Sequence, residues 1–289
     1  MRLCPILLLP LAFLLGCTAT AHHEDHTRTQ QIVSADTTET ITDVRVWSQS
    51  LDAPLSYRII IPTHPLEERL PVLYFLHGAN SGPEEIAAQS PIKQLAAAAH
   101  LIVIIPQAET SYYTNAQHLR HARWEDAITA DLPQDAIANF PIQQGREHTG
   151  IAGISMGGYG AIKLSLKHPE LYSFIGNMSG PLDITRRPAS LRRSSQTSRN
   201  WSIFGYRQST RLNEDVFHLL TTNPPRDNTT WFASCGQDDP LRPVNLRFVR
   251  QLNESGIRLK FLKTSGGHDW RSWNAALPEL FKLAGMTLR

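Results

Sequence analysis

"GISMGG", residues 153–158, decides how the rest of this chain is read. It lies between the apolar run "HTGIA" and the helix-like "YGAIKLSLKHPE", so one serine stands among glycines where a strand meets a helix. An ordinary turn there would accept Asn, Asp or any small polar residue. Gly153-Ile154-Ser155-Met156-Gly157 fits the pattern G-x-S-x-G, whose glycines make room for a tight, strained turn that lifts the serine hydroxyl above the sheet edge. The same turn aims the Met156 N–H at the space in front of Ser155, beside a helix N-terminus whose dipole favours developing negative charge. With Gly and Ser each at about 7% of residues, roughly 0.1 chance matches are expected in a chain this long. Context has to carry the reading.

Outward from the serine, strands and helices alternate. "LPVLYFLHG" (70–78) and "HLIVIIPQ" (100–107) are continuous apolar runs of the kind buried on both faces of a parallel sheet, and "PEEIAAQSPIKQLAAAAH" between them is Ala-rich and helical. "WEDAITADLPQDAIANF" has helical periodicity, with a break or restart expected at Pro133. "LYSFIGNMSG" and "TWFASCG" (230–236) read as strands. "PVNLRFVRQLNESG" follows as a helix ended by Gly256, then strand "IRLKFLKT" and helix "RSWNAALPELFKLAG". Upstream, from residue 41, "DVRVWS" and "LSYRIIIP" read as an antiparallel start. This order predicts an α/β domain with a mostly parallel central sheet and helices on both faces.

A serine is a poor nucleophile unless a base, itself oriented by a third group, takes its proton. In sheets carrying this turn the partners come in the order Ser, acid, His, from loops after later strands. "GGHDW" after the final strand supplies His268 as general base. "CGQDDPL" after "TWFAS" offers two acids, Asp238 and Asp239, and spacing favours neither. Asp269 reads as structural, because adjacent side chains diverge. The loop His77-Gly78-Ala79-Asn80 is placed to give the second oxyanion donor, the Ala79 N–H, with Asn80 as alternate. His77 precedes that turn and is expected to pack beneath it, and Cys235 reads as a small buried apolar residue. The chemistry needs neither a metal nor an organic cofactor.

The N-terminus points outside the cytoplasm. "MRLCPILLLPLAFLLGC" has one basic residue and an apolar run of signal-peptide length, too short and Pro-interrupted for a membrane span. "LLGC" resembles the lipobox of bacterial lipoproteins, which makes residues 1–16 the signal peptide and Cys17 the lipid-modified residue anchoring the chain to a membrane. An ordinary signal peptide cleaved near "TATA" is the alternative. Residues 17–40 are Thr-rich and polar and read as a flexible tether, with "HHEDH" as solvated linker rather than a metal site. Residues 41–289 form the catalytic domain, and Cys235 is its single cysteine. The expected location is the cell envelope, periplasm or cell surface.

Across 289 residues the net charge is +2 and 41% of residues are hydrophobic, which fits one large domain and gives no electrostatic case for nucleic acid. The local exception is 184–213, with seven arginines, no lysine and no acid, inside a cap-like insertion at about 181–225. It reads either as a solvated loop whose arginines meet acids elsewhere or as a cap that attracts anionic groups.

"LYFLHG", "GISMGGYGAIKLSLKHPELY", "CGQDDPL" and "GGHDWRSWNAALPELF" together resemble the "putative esterase" family of α/β hydrolases. That family includes esterase D (S-formylglutathione hydrolase), feruloyl and acetylxylan esterases, tributyrin esterases and the mycolyltransferases. The resemblance covers roughly residues 44 to 289. It implies the α/β-hydrolase fold and a serine carboxylesterase acting on a small-molecule or carbohydrate ester. A mycolyltransferase-like acyltransferase and a formylglutathione-type thioesterase are the alternatives, the latter opposed by the export signal. In that family the acid is the Asp of a G-x-x-D stretch, which falls on Asp239.

Overall fold

A computed structural model of the chain describes residues 27–35, 39–63, 65, 68–186 and 195–289. The signal segment, Cys17, the "HHEDH" cluster and residues 187–194 of the Arg-rich stretch lie outside the described residues.

The strands are β1 (Thr29–Ala35), β2 (Glu39–Ser48), β3 (Ala53–Pro62), β4 (Val72–Leu76), β5 (Ile102–Pro106), β6 (Thr149–Ile154), β7 (Phe174–Met178), β8 (Thr230–Gly236) and β9 (Leu259–Thr264). They form one sheet in the order β1-β2-β3-β5-β4-β6-β7-β8-β9. The pairings from β1 to β5 along that order are antiparallel and the remainder parallel. The apolar runs behave as two-faced strands. In β4, Val72, Tyr74 and Leu76 enter one core while Leu73 and Phe75 enter the other.

Each face is covered by helices, as the α/β-hydrolase fold requires. One core is closed by α1 (Pro83–Gln89), α2 (Ile92–Ala99) and α10 (Trp270–Thr287). The other is closed by α3 (Trp124–Asp126), α4 (Leu132–Asn139), α5 (Met156–Lys167), α8 (Val216–Thr222) and α9 (Arg242–Glu254). One helical run differs from the sequence reading: Pro91 splits the Ala-rich stretch into α1 and α2. At Pro133 the run restarts: a π-helical stretch over Ala127–Asp131 joins α3 to α4, and Pro133 stands in the first turn of α4, where a ring with no N–H is tolerated.

The tether reading of 17–40 needs correction at its C-terminal end. Residues 29–35 form an edge strand on β2, and β2 itself begins at Glu39. All seven residues of β1 are exposed, so there was no burial alternation to read. The strand is pinned from its start by Arg28, whose Nε donates to Asp135 at 2.7 Å and whose guanidinium lies 5.4 Å from the Phe140 ring centre.

The insertion folds as a 3-10 turn (Ile184–Arg186), α6 (Ser195–Phe204), α7 (Gln208–Leu212) and α8. Of its described arginines, Arg186 pairs with Asp215, which also caps α8 by accepting from the Phe217 and His218 N–H groups. Arg211 donates to Thr185 O at 2.7 Å and sits over Trp201. These two serve the cap's own architecture, while Arg199 lines the cleft described below.

Candidate active site

β6 ends at Ile154 and α5 begins at Met156, leaving Ser155 alone in the turn with φ 51° and ψ −119°. A non-glycine residue is strained there. The conformation is held by the Ser155 N–H donating to Met178 O (2.8 Å) and by the Tyr159 N–H donating to Ser155 O (3.1 Å). A Cβ at 153 or 157 would fall 2.6 or 2.1 Å from Leu76 O, so glycine at both positions lets the turn press against β4.

The loops after β8 and β9 bring two partners to this serine. Ser155 Oγ lies 2.8 Å from His268 Nε2, and His268 Nδ1 lies 3.0 Å from Asp239 Oδ2. The carboxylate facing Nδ1 favours the proton there and leaves Nε2 to accept from the hydroxyl. Asp239 is buried and its Oδ1 accepts from the Leu241 N–H at 2.8 Å. Burial alone would raise its pKa, but hydrogen bonds from His268, Ser179 and Leu241 outweigh it and hold the carboxyl below the usual range. The neighbouring Asp238 is exposed, so the structure separates two acids that spacing could not. Asp269 caps α10, accepting from Ser272 N–H at 3.0 Å, while the edge of Trp273 braces the His268 ring at 5.2 Å.

Gly78 backs onto the serine: a Cβ there would sit 3.5 Å from Ser155 Cβ. The Asn80 N–H donates to Thr110 Oγ1 (3.1 Å), which donates in return to Asn80 Oδ1 (3.0 Å). That commits the Asn80 amide to the loop after β5 and favours Ala79 as the donor toward the serine. His77 lies beneath, fully buried. Its Nε2 accepts from the Ala108 N–H at 2.9 Å, so the proton is on Nδ1, which donates to Gly78 O at 2.6 Å. Burial holds this imidazole below its ordinary range, which keeps it neutral. Beside the same turn opens a cleft of about 440 Å³, lined by Asn80, Thr110, Thr114 and Trp124 and by Arg199 and Ile203 of α6.

Sequence reasoning missed an ion network under this cleft. Lys163, fully buried in α5, donates to Glu125 Oε2 (3.1 Å), Thr114 Oγ1 (3.0 Å) and Tyr113 O (2.5 Å), and its Nζ lies 3.0 Å from Glu214 Oε2. Lys167 bridges the same two glutamates at 2.7 and 3.0 Å, and His168 Nε2 is 3.1 Å from Glu125 Oε1. The one available signal was Lys163 standing inside the apolar helical run "YGAIKLSL", since a lysine buried in such a helix needs polar or charged partners.

These carboxylates set an acid limit on stability. Burial pushes the Glu125 carboxyl up, but Lys163, His168 and Lys167 outweigh it and bring it well below the usual range. Asp215 is likewise held down, burial being outweighed by Arg186. A carboxyl depressed by folding contributes stability that is full above its unfolded pKa, about 4, and is lost as pH falls through the folded value. The thermal midpoint should therefore be level between about pH 5 and 7 and fall steeply below pH 4. Glu125→Gln should give a shallower acid limb in a pH series of thermal melts, and a limb parallel to wild type would reject this assignment.

A mostly parallel sheet with a strained serine turn at its centre and covered faces is the α/β-hydrolase fold. The chain belongs to the family described as "Putative esterase", whose model matches residues 48–283. It is a carboxylic ester hydrolase of the serine type. It is 28% identical over 222 residues to an acetyl esterase of Caldicellulosiruptor saccharolyticus, covering 74% of this chain and 83% of that one. The fold is shared with FphF, a fluorophosphonate-binding serine hydrolase of Staphylococcus aureus, at TM-score 0.76 and 21% identity over 86% of this chain and 99% of the other. It is shared also with the S-formylglutathione hydrolase FrmB of Staphylococcus aureus, at TM-score 0.73 and 21% identity over 89% and 99%.

Proposed function

We propose that the protein is an exported, lipid-anchored esterase that removes short acyl groups from small-molecule or carbohydrate esters, with Ser155 as nucleophile, His268 as general base and Asp239 as orienting acid. The observation that carries this reading is the unbroken chain from Asp239 through His268 to Ser155, with contacts of 3.0 and 2.8 Å. His268 Nε2 takes the hydroxyl proton as Ser155 Oγ bonds to the ester carbonyl carbon. The oxyanion so formed is received by the Ala79 and Met156 N–H groups. Collapse expels the alkoxide, which leaves with the proton from His268. Water then attacks the acyl-enzyme with His268 acting again as base, and Ser155 is released. The acetyl esterase relative supports a short acyl group. "LLGC" at 14–17 supports export and anchoring at Cys17.

The test compares 4-nitrophenyl acetate, butyrate and octanoate with methyl ferulate, together with mass spectrometry after a fluorophosphonate probe. Acetate should give the highest kcat/KM, with octanoate lower by about tenfold or more as the chain outgrows a short-acyl site. The probe should phosphonylate Ser155 with loss of fluoride. A preference for octanoate or ferulate would overturn the short-acyl assignment, and labelling of another residue would overturn the nucleophile.

A further inference from the structure

Tyr112 and Tyr113, consecutive in the loop after β5, both have left-handed backbones with φ 53°, and both are buried. Left-handed geometry disfavours bulky side chains, and two such residues in a row persist only where their surroundings over-determine them. The surroundings are specific. Tyr113 O accepts from buried Lys163 Nζ at 2.5 Å, the Tyr113 N–H donates to Ser111 Oγ at 3.0 Å, and the Tyr113 hydroxyl donates to His77 O at 2.9 Å. The Tyr112 N–H points at Met156 Sδ, 3.4 Å away. The Tyr113 ring lies on α5 where Gly160 gives it room, since a Cβ at 160 would fall 2.4 Å from the ring.

This dipeptide therefore touches both sides of the oxyanion hole. His77 immediately precedes Gly78 and Ala79, and its ring already holds Gly78 O. Met156 is itself the other donor residue. We infer that Tyr113, assisted by Tyr112, is a positioning residue for the oxyanion hole: its hydroxyl fixes the His77 carbonyl and the turn that follows, while the Tyr112 N–H holds the Met156 side chain. The two N–H donors are thereby kept at one separation, braced from below by Lys163. A loop built only to fill space would not require a strained backbone with one contact to the turn after β4 and one to the first residue of α5. The inference rests on the assignment of Ala79 and Met156 as oxyanion donors.

The test uses the full chain and Tyr113→Phe, which keeps the ring on Gly160 and removes only the hydroxyl. Kinetics on 4-nitrophenyl acetate are paired with inhibition by an alkyl trifluoromethyl ketone and by the matching secondary alcohol. Ser155 Oγ adds to the ketone carbon, its proton passes to His268, and the resulting alkoxide occupies the oxyanion position. The alcohol forms no such adduct. Tyr113→Phe should lower kcat about tenfold with KM within about twofold, and weaken the ketone by about the same tenfold as kcat, because a small misplacement of donors costs transition-state stabilisation and little ground-state binding. Alcohol affinity and the thermal midpoint should stay near wild type. Unchanged kcat and ketone affinity would overturn the inference, as would a fall in kcat without weaker ketone binding. A wild-type enzyme that binds the ketone no better than the alcohol would overturn the donor assignment itself, and the inference with it. The wild-type control separates that failure from the others.

Discussion

Ser155→Ala should lower kcat on 4-nitrophenyl acetate by about 10⁵-fold or more, and Asp239→Asn by about 10⁴-fold, with Asp238→Asn within about twofold of wild type. Without Ser155 Oγ no acyl-enzyme forms, and the residual rate is what water achieves in a site with oxyanion donors alone. The Asp239 effect has a different origin. Oδ2 faces His268 Nδ1 at 3.0 Å and demands a proton on that nitrogen. An Asn amide presenting its NH₂ would instead favour the tautomer protonated on Nε2, which faces Ser155 Oγ at 2.8 Å and could then no longer accept. With its NH₂ toward His268 the amide keeps its oxygen toward Leu241 and still accepts from that N–H, so loop disruption does not explain the loss. Asp238, exposed and one residue away, makes none of these contacts with the histidine. Asp269→Asn separates capping from catalysis further: it removes charge from the exposed cap of α10 and should leave both the thermal midpoint and kcat close to wild type. Single-turnover rates and fluorophosphonate labelling rates measure all four variants. A large loss in Asp238→Asn with near-normal Asp239→Asn would transfer the acid role.

The parts legible in the sequence were those where geometry forces residue type. A turn in which a Cβ at 153 or 157 would fall 2.6 or 2.1 Å from Leu76 O tolerates only glycine, so the serine turn announced itself. The two-faced strands β4 and β5 announced themselves because every one of their residues is buried. β1 did not, since an edge strand with both faces in water places no demand on hydrophobic spacing. Spacing left Asp238 and Asp239 open and the family's G-x-x-D pattern pointed to Asp239; which of two neighbouring side chains turns inward is a property of the loop, and here Asp239 is buried and Asp238 exposed. Tyr112 and Tyr113 carry no sequence mark of their left-handed backbones, because long-range contacts from Lys163, His77 and Met156 impose them. The ion network was hidden for the same reason: its members come from positions 125, 163, 167, 168 and 214, and only the folded chain brings them together.

That network gives the largest expected change in stability. Lys163→Met should destabilise the protein by about 3–5 kcal/mol, because it leaves Glu125 and Glu214, both nearly inaccessible, sharing one full positive charge on Lys167. Methionine approximates the lysine stem in volume, so the loss is electrostatic rather than a cavity. In a domain of this size the thermal midpoint should fall by about 10 °C. Adding Glu125→Gln tests the cause. The four groups Lys163, Lys167, Glu125 and Glu214 balance in the wild type, the single variant leaves one excess buried negative charge, and the double variant restores balance through Lys167 and Glu214 at 3.0 Å. The double variant should therefore be more stable than Lys163→Met alone, the reverse of additive losses, and urea melts of the two singles and the double close the cycle. Additive losses would mean that Lys163 acts through its bonds to Tyr113 O and Thr114 rather than through charge. If the electrostatic account holds, Glu214 is the link that ties the cap to the nucleophile helix, since its backbone oxygen also accepts from Tyr159 of α5 at 2.6 Å. The wall of the cleft and the helix carrying Met156 then share one buried ion cluster, and loosening it should cost activity as well as stability.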